Sequence, residues 1–330
     1  MLSRSPVVEG DRLYGRGGAD DGYAAFASLL AIEAAQRAGL AHTRCVVLVE
    51  ASEESGSPDL PAYLEALADR IGSPSLVLCL DSGCLDNDRM WVTTSLRGLV
   101  GGTLRVDILE EGIHSGEASG VVPSSFRIAR HLIDRIEDSA TGRVLLDGLH
   151  VDVPTDRQAQ AARTADDFDI STHFPFVDGA GPVVTDPTAM LLARTWWPAL
   201  SVTGVGGIPP LAAAGNVLRP FTALHLSVRI PPTCDHEAAL AAVTEALTSD
   251  PPYGAHVSFD DTQAGPGWNA PSFEPWLDAA LAAASTATFG VPHAAYGEGG
   301  SIPFMGMRSE EHTSELQSLA YLVCRLLLEK

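Results

Sequence analysis

Two uninterrupted apolar runs stand out in the first quarter of the chain, Cys45-Val46-Val47-Leu48-Val49 and Leu76-Val77-Leu78-Cys79-Leu80. Neither alternates with polar residues, so both are expected as strands buried on two faces, as in a parallel sheet. An alanine-rich segment from about Asp21 to Ala38 has helical character and meets a stop signal at Gly39; Leu60 to Ile71 reads as a second helix. Strands alternating with helices predict an α/β layer.

The periodicity changes after Arg97. Thr103 to Ile108 and Leu224 to Ile230 alternate polar and apolar residues, and Val257 and Phe259 continue the theme. These are expected as antiparallel strands with one solvated face. Phe126, Ala129, Leu132, Ile133 and Ile136 fall at helical spacing, and a further helix is expected over about Glu237 to Leu247. Two helices against such a sheet suggest a ferredoxin-like insert. The first pattern returns near Gly265-Pro266-Gly267, with a helix over Trp276 to Ala284 leading to the glycine-rich EGGSIP. The expected fold is thus α/β: a mostly parallel first domain over 1–96 and 269–307, interrupted by an α+β insert over 97–268. Residues 151–190 read as loop-rich, and no internal repeat is present.

The last stretch has a different character. Arg308 to Ser318, RSEEHTSELQS, resembles the translation of a short-read sequencing adapter, and Leu322 to Lys330 continues it; Lys330 is the chain's sole lysine. Residues 308–330 are therefore expected to contribute nothing evolved to the fold.

Composition narrows the function. At 330 residues and 45% hydrophobic content the chain can bury substantial cores. A formal charge of -21 repels phosphate backbones and argues against a nucleic-acid partner. No run reaches membrane-spanning length and no leader opens the sequence, so neither a membrane nor a secreted location is expected. The five cysteines form no CxxC pair; Cys45 and Cys79 read as small core residues, and a reducing, cytoplasmic compartment follows.

Three acidic sites share one context. Asp20 and Asp21 lie in GRGGADDG before a helix, Glu53 and Glu54 follow the run ending at Val49, and Asp81 follows the run ending at Leu80. Open α/β sheets present ligands at the carboxyl ends of their strands. Carboxylates gathered there repel one another unless cations join them. Taken singly, each has a plainer role: a helix cap, a solvated loop, a turn residue. Their common placement favours metal binding.

In order, LYGRGGADDG, EESGS, LDSG, TSLRG, HSG, NVLRP, SVR and EGGSIP resemble the carnosinase and cytosolic dipeptidase branch of the two-metal peptidases that include aminoacylase, carboxypeptidase G and the desuccinylases. The likeness runs from about Leu13 to Met307. It implies that Asp20 bridges two divalent ions, zinc with manganese or cobalt as alternatives, that Glu54 binds one and Asp81 the other, and that Glu53 is the general base. Asp21 receives no ligand role. His114 would reach the partner subunit's site and stabilise the oxyanion. Asn216, Arg229 and Ser301 would contact substrate, Arg229 by holding a terminal carboxylate. Gly299 and Gly300 would let the backbone approach closely. The resemblance further implies a homodimer formed through the insert, acting as lid, and hydrolysis of a peptide or amide bond in a small peptide or an N-acyl amino acid.

Each residue also has a plainer alternative: a structural histidine in a glycine-rich turn for His114, a surface arginine on a strand for Arg229. A deacylase or desuccinylase differs only in its substrate pocket, and a metal-free scaffold would share the fold. The family's site opens on a His-x-Asp motif before GRG and closes on a histidine after EGGSIP. Neither is found here, and His312, inside the adapter-like tail, is not taken as a ligand. The chain is accordingly expected to be an inactive fragment cut at both ends. No GK[ST] follows the glycines at 15–18 and no GxSxG occurs, which sets aside a nucleotide loop and a serine hydrolase.

Overall fold

The computed structural model describes residues 5–18, 20–81, 83–310 and 320–324. Contacts divide the chain into two compact units, one of residues 1–94, 270–298 and 302–330, the other of Ser95–Asn269 with Gly299–Ser301.

The first unit begins with a hairpin of β1 (Val7–Glu9) and β2 (Arg12–Tyr14). Helix α1 (Ala24–Arg37) follows, and Gly39, with φ 67°, returns its N–H to the carbonyl of Gln36 and ends the helix. The segment expected to be one helix is two, α2 (Leu60–Ala66) and α3 (Ala68–Ile71), before strand β3 (Leu76–Cys79) and strand β4 (Trp91–Leu96). Strand β4 is buried throughout despite Thr93, Thr94 and Ser95.

In the second unit come β5 (Gly98–Asp107), β6 (Ile113–His114), α4 (Ser115–Ala118), α5 (Ser125–Ile133), α6 (Thr155–Asp167), α7 (Pro187–Thr195), β7 (Ala199–Gly206), β8 (Val217–Leu218), β9 (Phe221–Ile230), α8 (His236–Thr248), β10 (His256–Gly265) and β11 (Trp268–Asn269). The chain then returns to the first unit as α9 (Pro275–Phe289), β12 (Ala294–Glu298), α10 (Pro303–Glu310) and β13 (Ala320–Cys324).

The second unit's sheet runs β10-β5-β9-β7, antiparallel throughout. With α5 after β5 and α8 after β9, the order is β-α-β-β-α-β, the ferredoxin-like arrangement. Alternation dictates its layers. On β9, Leu224, Leu226, Val228 and Ile230 are buried, while Ala223, His225, Ser227 and Arg229 face the other way and are half-exposed. The buried set packs with Val100, Leu104 and Val106 of β5, Ile128 and Leu132 of α5, and Val243 and Leu247 of α8. Each such side chain contributes roughly 1.5–3 kcal/mol by leaving water. Arg135 donates to the carbonyls of Ala246 and Asp250 and so closes the C-terminal end of α8.

The structure departs from the pattern in several places. Cys45–Val49 is not a strand: it carries no regular structure, Cys45 is exposed, and Val49 is 73% exposed. An apolar run specifies burial only where a neighbouring strand accepts its backbone groups, and none of the described strands pairs with it. Residues 151–190, read as loop-rich, also hold helix α6 and the first turn of α7. Phe126, which falls at helical spacing with Ala129 and Leu132, is exposed on α5. Within the tail, β13 lies beside β3 in parallel and β4 in antiparallel register. Backbone pairing asks only for an extended segment to satisfy the facing N–H and C=O groups, whatever the origin of its side chains.

The sheet around β4 is mixed, with β3, β11, β12 and β13 in one five-stranded assembly. Its described core is Val92 with Leu277 and Leu281 of α9, packed by Leu76, Leu80 and Met90. Trp91 meets Tyr296 of β12 edge to face at 5.8 Å, and its indole N–H donates to Asp86 at 2.8 Å.

Candidate active site and family

Three loops carry the acidic residues. Asp20 stands exposed in the turn before α1, joined to Asp21 by a cis peptide bond. The Tyr23 hydroxyl, at the head of α1, donates to the carbonyl of Leu80 at 3.4 Å. That bond holds the start of α1 beside the residue preceding Asp81, which is half-buried. Glu53 and Glu54 open a 3-10 turn, Glu53–Ser55, closed by Gly56 at φ 87°. Glu53 is half-buried and Glu54 exposed. The order Ser-Gly after the glutamates suits this bend, since Gly56 takes the left-handed conformation without a steric penalty.

These residues share an electrostatic field. Burial, then the charges of Asp81, Glu54, Glu50 and Asp20, push the Glu53 carboxyl up to about 7. Burial and the charge of Asp20 also raise Asp21, partly opposed by a hydrogen bond from its own backbone N–H. Sequence reasoning passed over Glu50; its place one residue after the Val49 run was the available signal.

The donor chemistry, carboxylate oxygens under mutual repulsion, fits a divalent cation. The ligand number does not close: among the described residues no group of three or more His, Cys, Asp or Glu stands near enough together to hold an ion.

The second unit gathers the other candidates in two places. His114 ends β6, which pairs with β8 so that His114 faces Val217; next to it, the Ser115 N–H donates to the carbonyl of Asn216 at 2.9 Å. His114 and Asn216, 102 positions apart in number, thus lie on one short ribbon, and both are exposed. The Nδ1 atom of His114 accepts the N–H of Gly116 at 3.2 Å. In the neutral ring the proton then resides on Nε2, which is left as the donor. A side chain at position 116 would sit 3.1 Å from that ring, which explains the glycine of HSG.

Arg229, half-buried on β9, donates from Nη1 to the Ser301 hydroxyl at 3.3 Å. Burial lowers its pKa, yet a guanidinium remains charged. The two glycines of EGGSIP differ. A Cβ on Gly299 would lie 3.0 Å from the Arg194 carbonyl oxygen, whereas one on Gly300 would meet nothing within 4 Å. Close backbone approach is therefore a property of Gly299. His312 lies outside the described residues.

The first unit thus carries the acidic loops, and the ferredoxin-like second unit an exposed histidine and a half-buried arginine. The chain belongs to peptidase family M20/M25/M40, whose sequence profile matches residues 3–312. It is 27% identical to a cysteinylglycine-S-conjugate dipeptidase of Corynebacterium striatum over 76% of this chain and 54% of that protein. It is 24% identical to the Cys-Gly metallodipeptidase dug1 of Schizosaccharomyces pombe over 88% of this chain and 62% of the relative. The chain thus spans less than two thirds of each. Among solved structures, the dipeptidase Dug1p of Saccharomyces cerevisiae shares the fold at a TM-score of 0.74, 20% identity and 97% coverage of this chain and 67% of that one. Human carnosine dipeptidase 1 does so at 0.75 and 19%, over 97% of this chain and 68% of that one.

Proposed function

We propose that the whole protein is a metal-dependent dipeptidase. The observation that carries the reading is the Glu53 carboxyl, pushed up to about 7 in the combined field of Asp81, Glu54, Glu50 and Asp20. Carboxylates from three separate loops act on Glu53 through their charge, and Glu53 is poised to exchange a proton near neutral pH. Dipeptidases are also what the two curated relatives are named.

In this reading Asp20, Glu54 and Asp81 would hold two divalent ions, zinc by preference. When bound, the ions polarise the scissile carbonyl and ease deprotonation of water. Glu53 takes the proton of the attacking water and delivers it to the leaving amine. The Nε2 proton of His114 is offered to the developing oxyanion. Arg229 holds the substrate's terminal carboxylate, supported by Ser301, and Asn216 adds a contact on the His114 ribbon. The same reading makes the protein a cytoplasmic homodimer, assembled through the ferredoxin-like unit, with His114 serving the partner subunit's site. No described helix is long and apolar enough to cross a membrane.

The test is to load the whole protein with zinc, manganese or cobalt and assay Cys-Gly, carnosine and N-acetyl or N-succinyl amino acids. Dipeptides should be cleaved about 100-fold faster than the N-acyl compounds by kcat/KM. The reverse preference would establish a deacylase.

A separate prediction concerns residues 1–330 alone. With oxygen donors and no closed ligand set, this chain should retain fewer than two zinc ions after desalting and show no dipeptide turnover. Zinc content and Cys-Gly hydrolysis measure this directly. Two ions held through desalting would refute it.

A further inference from the structure

We infer that Arg97 is a positioning residue for substrate binding: it holds the Gly299–Ser301 loop so that the Ser301 hydroxyl meets Arg229. The inference rests on the reading of Arg229 as the carboxylate-binding residue.

Four observations converge. The Arg97 guanidinium donates from Nε to the carbonyl of Gly299 at 3.1 Å and from Nη1 to the carbonyl of Trp197 at 3.4 Å. It thereby ties the loop to the segment just after α7. Gly299 is pressed against that segment, because a Cβ there would lie 3.0 Å from the Arg194 carbonyl oxygen and 3.2 Å from the Arg97 Nη2 atom. Two residues further on, Ser301 accepts from Arg229 at 3.3 Å. Finally, residues 299–301 pack with the second unit, while the chain on both sides of them belongs to the first.

The register supplies the reason that Arg97 can act here. Arg97 stands two residues before Leu99, and Leu99 is the cross-strand partner of Arg229. Arg97 lies in the one-residue link between β4 and β5, just ahead of Gly98, so the two arginines stand at the same end of the sheet. Their work differs. Arg97 directs two of its donors to main-chain carbonyls, and Arg229 directs one to a side-chain hydroxyl. A guanidinium can bridge two carbonyls because its donors diverge from one rigid plane, whereas an ammonium offers a single point of charge.

The test has two arms. In the first, hydrogen exchange is followed in residues 1–330 as wild type, Arg97→Gln, Arg97→Lys, Gly299→Ala and, as a control on exposed α6 surface, Arg163→Gln. The amides of 299–301 should exchange about tenfold faster in the two Arg97 variants and in Gly299→Ala, with β5 and β9 protected as in wild type. Unchanged exchange in that loop, or equal loss of protection through β5 and β9, would overturn the proposal. In the second arm, kinetics of the whole protein are read on a dipeptide and on its C-terminal amide. Arg97→Gln should raise KM for the free carboxylate about tenfold, with kcat within about twofold and the amide unaffected. A faster-exchanging loop with KM unmoved would overturn the substrate role. Arg229→Gln separates the two ideas: if it fails to abolish discrimination between carboxylate and amide, the reading of Arg229 fails, and the exchange result still decides what Arg97 holds.

Discussion

Glu53→Gln is expected to lower dipeptide turnover by the whole protein about 10³-fold while leaving its metal content unchanged, a loss typical of removing a general base. Glutamine keeps the shape and cannot accept the proton. Glu54→Gln, by contrast, should lose part of the bound metal, because that carboxylate is assigned as a ligand. Equal metal loss in the two variants would contradict the division of roles.

The same substitution has a second consequence, visible in the metal-free chain. The Glu53 carboxyl is raised from 4.5 to about 7, by burial first and then by the charges of Asp81, Glu54, Glu50 and Asp20. A group whose folded pKa lies above its unfolded value contributes stability that is full below the unfolded value and is lost as pH rises through the folded one. The window here is pH 4.5 to about 7. Above it, the ionised Glu53 destabilises the fold, and Glu53→Gln should stabilise it by about 1–2 kcal/mol after allowance for solvent screening. Urea melts at pH 5 and pH 8 measure this: the variant should gain over wild type at pH 8 and not at pH 5. No gain at pH 8 would mean that the carboxylates do not share a field in solution.

The second large effect concerns His114. His114→Ala should lower kcat about 10²–10³-fold, the range for loss of one oxyanion donor, with metal content unchanged. The expected donor is Nε2, since Nδ1 is engaged by the Gly116 N–H. A homodimer in which His114 serves the partner's site makes a sharper forecast. Mixed with Glu53→Gln after subunit exchange, His114→Ala should recover about a quarter of wild-type activity, because half the dimers are mixed and each of those holds one intact site. Exchange verified by mass, without recovery, would place His114 in its own subunit's site or in none.

How far these assignments could be read from residues alone differs from one element to the next. The sheet of the second unit was legible because its strands alternate: Leu224, Leu226, Val228 and Ile230 declare a buried face, and Asp235 caps α8 through the N–H groups of Glu237 and Ala238. Helix α6 was illegible for the opposite reason. Its buried face is Arg157, Gln160, Ala161 and Thr164, at helical spacing but mostly polar. Arg157 is satisfied by Asn269 at 2.8 Å and Gln160 at 3.2 Å, and a search for apolar stripes misses such a face. Cys45–Val49 erred the other way, being apolar in pattern and exposed in fact.

For this protein the sequence by itself determined the period of the second unit's strands, the carboxylates its loops carry and, through eight motifs in order, the family. These are local properties, set by side-chain alternation and by the chemistry of each residue type. Tertiary structure alone decided which groups meet: Glu50 adding its charge to Glu53, Gly116 assigning the proton of His114, and Arg97 and Arg229 holding opposite ends of Gly299–Ser301. Each depends on loops distant in sequence or on the bend of a turn, and the hydrogen bonds and Coulomb interactions that define them act over a few ångströms of space.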